Sequence, residues 1–188
     1  MEFGTSVTLS ELTEDNWDAA GRVGFEFTSR GEEGIPEGLE LIYRRPLKNV
    51  SRLGPKGTFG NLYTWAQFRK NDKPVGPIKA VLRDFILDRF HVERGTNLLG
   101  GIVDQTLRHS VGSLSAKYGV HQKTTVHALR KSGLLPTVRE DVDERRTVPA
   151  EPAEALFEQL ARAIPVAKIP KYIGCSRSQA TLLLESGS

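Results

Sequence analysis

His109-Ser110-Val111-Gly112-Ser113-Leu114-Ser115-Ala116-Lys117-Tyr118-Gly119-Val120-His121-Gln122-Lys123-Thr124-Thr125-Val126-His127-Ala128-Leu129-Arg130-Lys131-Ser132-Gly133-Leu134-Leu135 is the stretch that decides the fold. A short amphipathic segment meets a Gly-Val corner, and a second segment ends in Gly. That is the order of parts in a helix-turn-helix. Val111, Leu114 and Ala116 are expected to face inward from the first helix. Gly119 suits the positive φ that a tight interhelical corner needs, and Val120 plugs the corner. Val126 and Leu129 lie three apart and share one face of the second helix. His121, Gln122, Lys123, Thr124, His127, Arg130 and Lys131 are left outward. Such donor-rich side chains read base edges and phosphates in a major groove.

Two packed helices with a solvated polar face would leave the same trace. A second copy of the pattern argues for more. Val166-Ala167-Lys168-Ile169-Pro170-Lys171-Tyr172-Ile173-Gly174-Cys175 is followed by Ser176-Arg177-Ser178-Gln179-Ala180-Thr181-Leu182-Leu183-Leu184. Ser176 is a natural N-cap. Ala180, Leu183 and Leu184 are expected to form the inner stripe, with Ser176, Arg177, Ser178, Gln179 and Thr181 at the front. Pro170 removes a hydrogen bond inside a helix, so it belongs in the first turn or bends the helix.

Charge distribution points the same way. The net charge is only +3, but it is sorted. Residues 41–71 contain no acid and carry Arg44, Arg45, Lys48, Arg52, Lys56, Arg69 and Lys70. Residues 105–139 contain no acid either, and residues 159–184 repeat the pattern. The acids are pooled in 11–40 and 140–154. A chain that lies along a polyanion keeps acids off its contacting surfaces.

Along the chain, Thr13 is expected to cap a helix in which Trp17, Ala20, Gly21 and Gly24 make a small-residue face for close packing. Residues 31–38 read as a loop, 39–47 as a short helix ending by Pro46, and 49–57 as a basic connector. A helix over 59–68 and a turn at 71–74 follow. Ile78, Val81, Leu82, Phe85, Ile86 and Phe90 keep the helical spacing, and this stripe is expected to floor the first helix-turn-helix. Residues 91–103 read as a connector. Residues 137–152 are charged, carry two prolines and read as a linker. In 154–164, Ala155, Leu156, Leu160 and Ala163 are expected to back the second module. The whole reads as a mainly α chain of tandem helix-turn-helix modules joined by a linker. Its parts are 1–6, 7–71 (helical with the basic stretch), 72–136 (first module), 137–152 (linker) and 153–188 (second module). Met1-Glu2-Phe3-Gly4-Thr5-Ser6 looks like a restriction-site scar from an expression vector.

Other chemistries find no footing. One cysteine, Cys175, makes neither an internal disulfide nor a cysteine-based zinc site. His91, His109, His121 and His127 lack ligand spacing, and read better as polar groups near phosphates. No catalytic Ser/His/Asp framework, acidic metal triad on strands or phosphate-binding loop is found, so neither catalysis nor a cofactor is expected. No apolar run is long enough to span a bilayer, and no signal peptide is seen. A cytoplasmic protein is the expectation.

Several short elements resemble the C-terminal part of the TniQ/TnsD family, the target-selection proteins of bacterial transposons. They are Trp17-Asp18-Ala19-Ala20, Phe59-Gly60-Asn61-Leu62-Tyr63-Thr64-Trp65, Pro77-Ile78-Lys79-Ala80-Val81-Leu82-Arg83-Asp84-Phe85, Gly95-Thr96-Asn97-Leu98-Leu99-Gly100 and Gly119-Val120-His121-Gln122-Lys123-Thr124, with Gly133-Leu134 after them. They stand in family order over residues 12–135. The resemblance implies a helical protein that binds double-stranded DNA and has no catalysis of its own. It implies recruitment of an AAA+ ATPase and through it a transposase, or in some systems coupling to an RNA-guided complex. Family members usually carry an N-terminal zinc region built on Cys and His, which is missing here, so a C-terminal fragment is expected. DNA-contact roles carry over only to the two helix-turn-helix segments. Two other readings compete. A transcription or plasmid-partition regulator would need a dimer on a palindrome, and no dimerising helix is seen. A protein-interaction adaptor would need an exposed apolar patch.

Overall fold

The computed structural model describes residues 13–45, 54–68, 77–136, 147–163 and 168–186. Lys48, Arg52, Arg69, Lys70, residues 1–6, the 71–74 turn, residues 137–146 of the expected linker, and the Trp17 and Leu184 side chains lie outside the described residues. The described chain is mainly helical, with ten helices and four strands of two or three residues. Two separate clusters of buried side chains organise it.

α1 (Glu14–Thr28) packs on α2 (Gly31–Tyr43) without adding a described residue to the first cluster, which gathers α2, α3 (Pro55–Phe59), α4 (Asn61–Phe68), α5 (Ile78–Arg89) and the hairpin β1 (Asn97–Leu98)–β2 (Gly101–Ile102). Thr13 caps α1 as expected, its hydroxyl accepting from the Asn16 amide at 3.4 Å. The expected loop at 31–38 is instead the first half of α2, which runs through Pro36. Pro36 leaves the Glu32 carbonyl without its helical donor. Beside it α2 packs closely on α1. A Cβ on Gly34 would sit 2.2 Å from the Phe27 carbonyl oxygen, and one on Gly38 3.1 Å from the Phe27 ring. The close approach therefore uses the glycines of α2. It does not use Gly21 and Gly24, the expected pair, where an added methyl would meet nothing within 4 Å.

The expected helix over 59–68 is two helices, because the chain turns at Gly60 with φ +53°. Part of the expected 49–57 connector becomes α3, opened by Pro55. The α5 stripe is as expected, with Leu82 and Ile86 fully buried. Its partners are not as expected. It faces α2 and a knot of rings, where Tyr43 and Phe59 each meet Phe85 and Phe90 edge-on at 5.6–6.0 Å. Each such pair adds about 1 kcal/mol beyond burial. The stripe is thus the centre of the first core and not the floor of the expected helix-turn-helix. The 91–103 connector carries the β1–β2 hairpin, turned by Leu99 (φ +51°) and Gly100 (φ +85°). The Arg83 guanidinium donates to the carbonyls of Leu98, Gly101 and Ile102, which holds that turn to α5.

The second cluster joins β3 (Arg108–Ser110), α6 (Val111–Tyr118), α7 (Gln122–Lys131), β4 (Thr147–Pro149) and α8 (Ala150–Arg162). Here residues 147–152 depart from the linker reading. Thr147–Pro149 pairs antiparallel with β3, His109 opposite Val148. Pro149 ends the strand and Pro152 lies in the first turn of α8, where no helical N–H is needed. Ala153 and Phe157 point into the core under α6, and Phe157 stacks on Tyr118 at 5.4 Å. So α8 backs the first helical pair, not the second, and Ala155, Leu160 and Ala163 are exposed. The two clusters meet at a polar seam. The Thr147 hydroxyl donates to the Arg89 carbonyl at 2.9 Å, and His91 Nδ1 donates to the Arg108 carbonyl at 2.8 Å. Beyond them α9 (Ile169–Ile173) and α10 (Arg177–Ser186) form a short pair, with Pro170 in the first turn of α9. Val166 and Ala167, expected to begin that helix, lie outside the described residues. Among the described residues no helix is long and apolar enough to cross a membrane.

Candidate nucleic-acid interface

The angle between α6 and α7 is set locally. Ser110 caps α6, its hydroxyl accepting from the Ser113 amide at 3.0 Å. Gly119 takes φ +64°, and both its amide and that of Val120 return to the Ser115 carbonyl. His121 caps α7 with its ring, Nδ1 accepting from the Lys123 amide at 3.2 Å. That bond leaves Nδ1 without a proton and Nε2 as the outward donor. Leu114 and Leu129 are fully buried, with Val111 and Val120 packed beside them. Ala116 is exposed, against expectation. Thr125 takes an inward place instead, its hydroxyl satisfied by the His121 carbonyl at 3.3 Å. Back-bonding of that kind lets a polar side chain enter a core, and periodicity of apolar residues does not reveal it. Gly133 (φ +76°) closes α7, with the Leu134 and Leu135 amides bound to the Leu129 carbonyl.

His121, Gln122, Lys123, Thr124, His127 and Lys131 are exposed, and Arg130 is half-buried. Gln122, Lys123, Thr124, His127 and Lys131 have no side-chain hydrogen bond or ion pair among the described residues. Arg130 Nε is buried without a partner among them. No carboxylate lies on α6 or α7. The front of α7 is therefore a row of uncommitted donors starting at a helix N-terminus, which itself favours anions.

The other expected contacts are less free. Ser176 and Gln179 form a reciprocal cap, Oγ accepting from the Gln179 amide at 3.2 Å and Oε1 from the Ser176 amide at 2.9 Å. The Thr181 hydroxyl returns to the Arg177 carbonyl at 3.1 Å. Arg177 and Ser178 are exposed without a side-chain partner among the described residues. Ala180 is buried as expected, but Leu183 is 58% exposed, beside Leu182 at 64% and Tyr172 at 73%. In the basic stretch Arg44 is tied to Glu40 at 2.7 Å, while Arg45 and Lys56 are exposed.

Two histidines expected near phosphates are not on that surface. His109 is 5% exposed and stacks on half-buried His91 at 5.5 Å. His109 Nε2 meets Glu154 Oε1 at 2.7 Å, its Nδ1 meets Ser113 Oγ at 3.1 Å, and Lys117 Nζ donates to the same Glu154 oxygen at 2.7 Å. The Lys117 hydrogen bond, then that of His109, holds the Glu154 carboxyl below its ordinary range against the opposing cost of burial. This network clamps α8 to β3 and α6 and so fixes the platform on which α7 stands. It also commits Lys117, one cation of the acid-free block. Among the described residues no group of three or more His, Cys, Asp or Glu is placed to hold a metal ion. Comparison of the chain with protein-family models, with curated proteins and with solved structures finds no match.

Proposed function

We propose that this chain is the double-stranded DNA-binding, target-recognising part of a transposition protein, with α7 entering the major groove. One observation carries the DNA reading: the exposed, uncommitted row Gln122, Lys123, Thr124, His127 and Lys131 on a helix pair without a carboxylate. A surface chosen only for solubility pairs or mixes its charges. Gln122 and Thr124 suit base edges, and Lys123 and Lys131 suit phosphates. Arg177 and Ser178 offer a second, smaller contact. The transposition setting, the AAA+ ATPase and the RNA-guided complex rest on the TniQ/TnsD resemblance alone. The expected absence of catalysis rests on that resemblance together with the lack of a catalytic framework in the sequence. The adaptor reading is favoured for α9–α10 by its exposed Tyr172, Leu182 and Leu183.

Fluorescence anisotropy with short duplexes across a salt series tests the reading. Log K is expected to fall with log salt by about 0.9 per phosphate neutralised. Lys123→Ala should weaken all duplexes alike and reduce that slope by about 1. Gln122→Ala should narrow the gap between the best sequence and random DNA. A flat salt response, with both variants unaltered, overturns the DNA reading.

A further inference from the structure

A groove of about 930 Å³ runs between α2 and α5 on the first core. Part of its lining is apolar: Phe27, Pro36, Leu41, Val81 and Phe85. The charged part, among the described residues, sets Glu32, Glu37, Glu40, Asp84 and Asp88 against Arg44 and Arg89. Two of its rings already carry a cation flanked by carboxylates. The Arg30 guanidinium lies 5.7 Å from the Phe27 centroid and 2.7 Å from Glu37. That of Arg89 lies 5.5 Å from the Phe85 centroid, 2.8 Å from Asp88 and 3.5 Å from Glu40. The groove thus holds cations by ring face and carboxylate together. Glu32 and Asp84 are exposed and have no ion pair among the described residues. Leu41 is 56% exposed.

Nucleic acid is repelled by such a surface. A free small cation gains nothing from the apolar lining, and an uncharged helix would strip water from carboxylates without replacing it. The occupant that answers both halves has an apolar stripe with lysine or arginine on its flanks. We propose that the α2–α5 groove docks a basic amphipathic helix of a partner protein. Its apolar residues at i, i+3, i+4 and i+7 lie on Leu41, Val81 and Phe85, and its flanking cations meet Glu32 and Asp84. The proposal does not depend on the DNA reading of α7.

The probe is a fluorescein-labelled Leu/Lys peptide of about 18 residues, five helical turns, apolar on one face. Saturable binding to the whole chain is expected, with a scrambled peptide of the same composition about tenfold weaker. Glu32→Lys/Asp84→Lys and, separately, Leu41→Asp should each weaken binding about tenfold or more, with unchanged circular dichroism. Lys123→Ala should leave it unaltered. Equal binding of the scrambled peptide overturns the proposal. So does an unmoved Kd in both groove variants, or an equal loss in Lys123→Ala. Sedimentation of the chain alone addresses a different occupant. Self-association abolished by the double variant would make the groove an interface between two copies, and would overturn the partner reading.

Discussion

Glu154 receives two donors on one oxygen, and that makes its protonation a stability variable. Its carboxyl is held below the ordinary 4.5, first by Lys117 and then by His109. A carboxyl whose folded value is lowered contributes stability that is fully present above its unfolded value. That contribution is lost as pH falls through the folded value. Glu154→Gln is expected to cost about 1 kcal/mol at pH 7, less than a fully buried charged hydrogen bond because Lys117 is half in solvent. Urea unfolding midpoints at pH 7, 5 and 3 measure this. The gap between the parent and Glu154→Gln should shrink toward pH 3, and a gap constant over that range would refute the linkage. Sequence reading does not reach this network, since His109 and Glu154 lie 45 residues apart. It does reach Thr13, Gly119 and Ser176, because a cap or a corner is a contract between residues three or four apart.

At the scale of elements, α1 and α2 make opposite predictions for one kind of substitution. Alanine in place of a helical glycine gains about 0.5–1 kcal/mol when the methyl meets no obstacle. Gly24 on α1 has open space, so Gly24→Ala should stabilise by that amount. Gly34 on α2 has the Phe27 carbonyl oxygen 2.2 Å from where the methyl would lie. There the overlap outweighs the propensity gain, and Gly34→Ala should cost about 1–3 kcal/mol. Thermal melts followed by circular dichroism should shift in opposite directions; a shared direction would mean that α2 does not rest on α1 at Gly34. The same scale shows what is legible in the sequence. The α5 stripe and the α6–α7 corner can be read because one face and one αL glycine define them. The start of α2 cannot, because Gly31, Gly34 and Pro36 signal a loop locally while contact with Phe27 decides otherwise. Strand β4 escapes because three residues carry no period, and its partner β3 lies 39 residues away along the Arg108–Thr147 contact. The front of α7 is legible residue by residue, apart from half-buried Arg130 and from Thr125, which turns inward.

Across the whole molecule, two cores divide the labour. The first carries acid-rich α1–α2 and the α5 groove; the second supports α7. They touch through hydrogen bonds at Arg89, His91, Arg108 and Thr147 and through the stacked His91 and His109 rings, and among the described residues no buried residue belongs to both clusters. A seam of hydrogen bonds between separate apolar clusters is where cooperative units part. Phe157 tests this, being 1% exposed on α8 and stacked on Tyr118 of α6. Truncating such a ring costs about 3–5 kcal/mol in its own core. Phe157→Ala is therefore expected to speed amide hydrogen exchange in α6–α7 by about a hundredfold or more, since each 1.4 kcal/mol is a factor of ten. Exchange at Leu82 and Ile86 of α5 should change little. Duplex binding, if carried by α7, should weaken in the same variant although Phe157 stands on a different helix. An equal rise in exchange across α5 and α7 would mean that the seam transmits the loss and that the chain unfolds as one unit. Acid segregated on one core and donors on the other would then be fixed in relative position by the fold itself, and a ligand on the α2–α5 groove would be felt at α7 through stability alone.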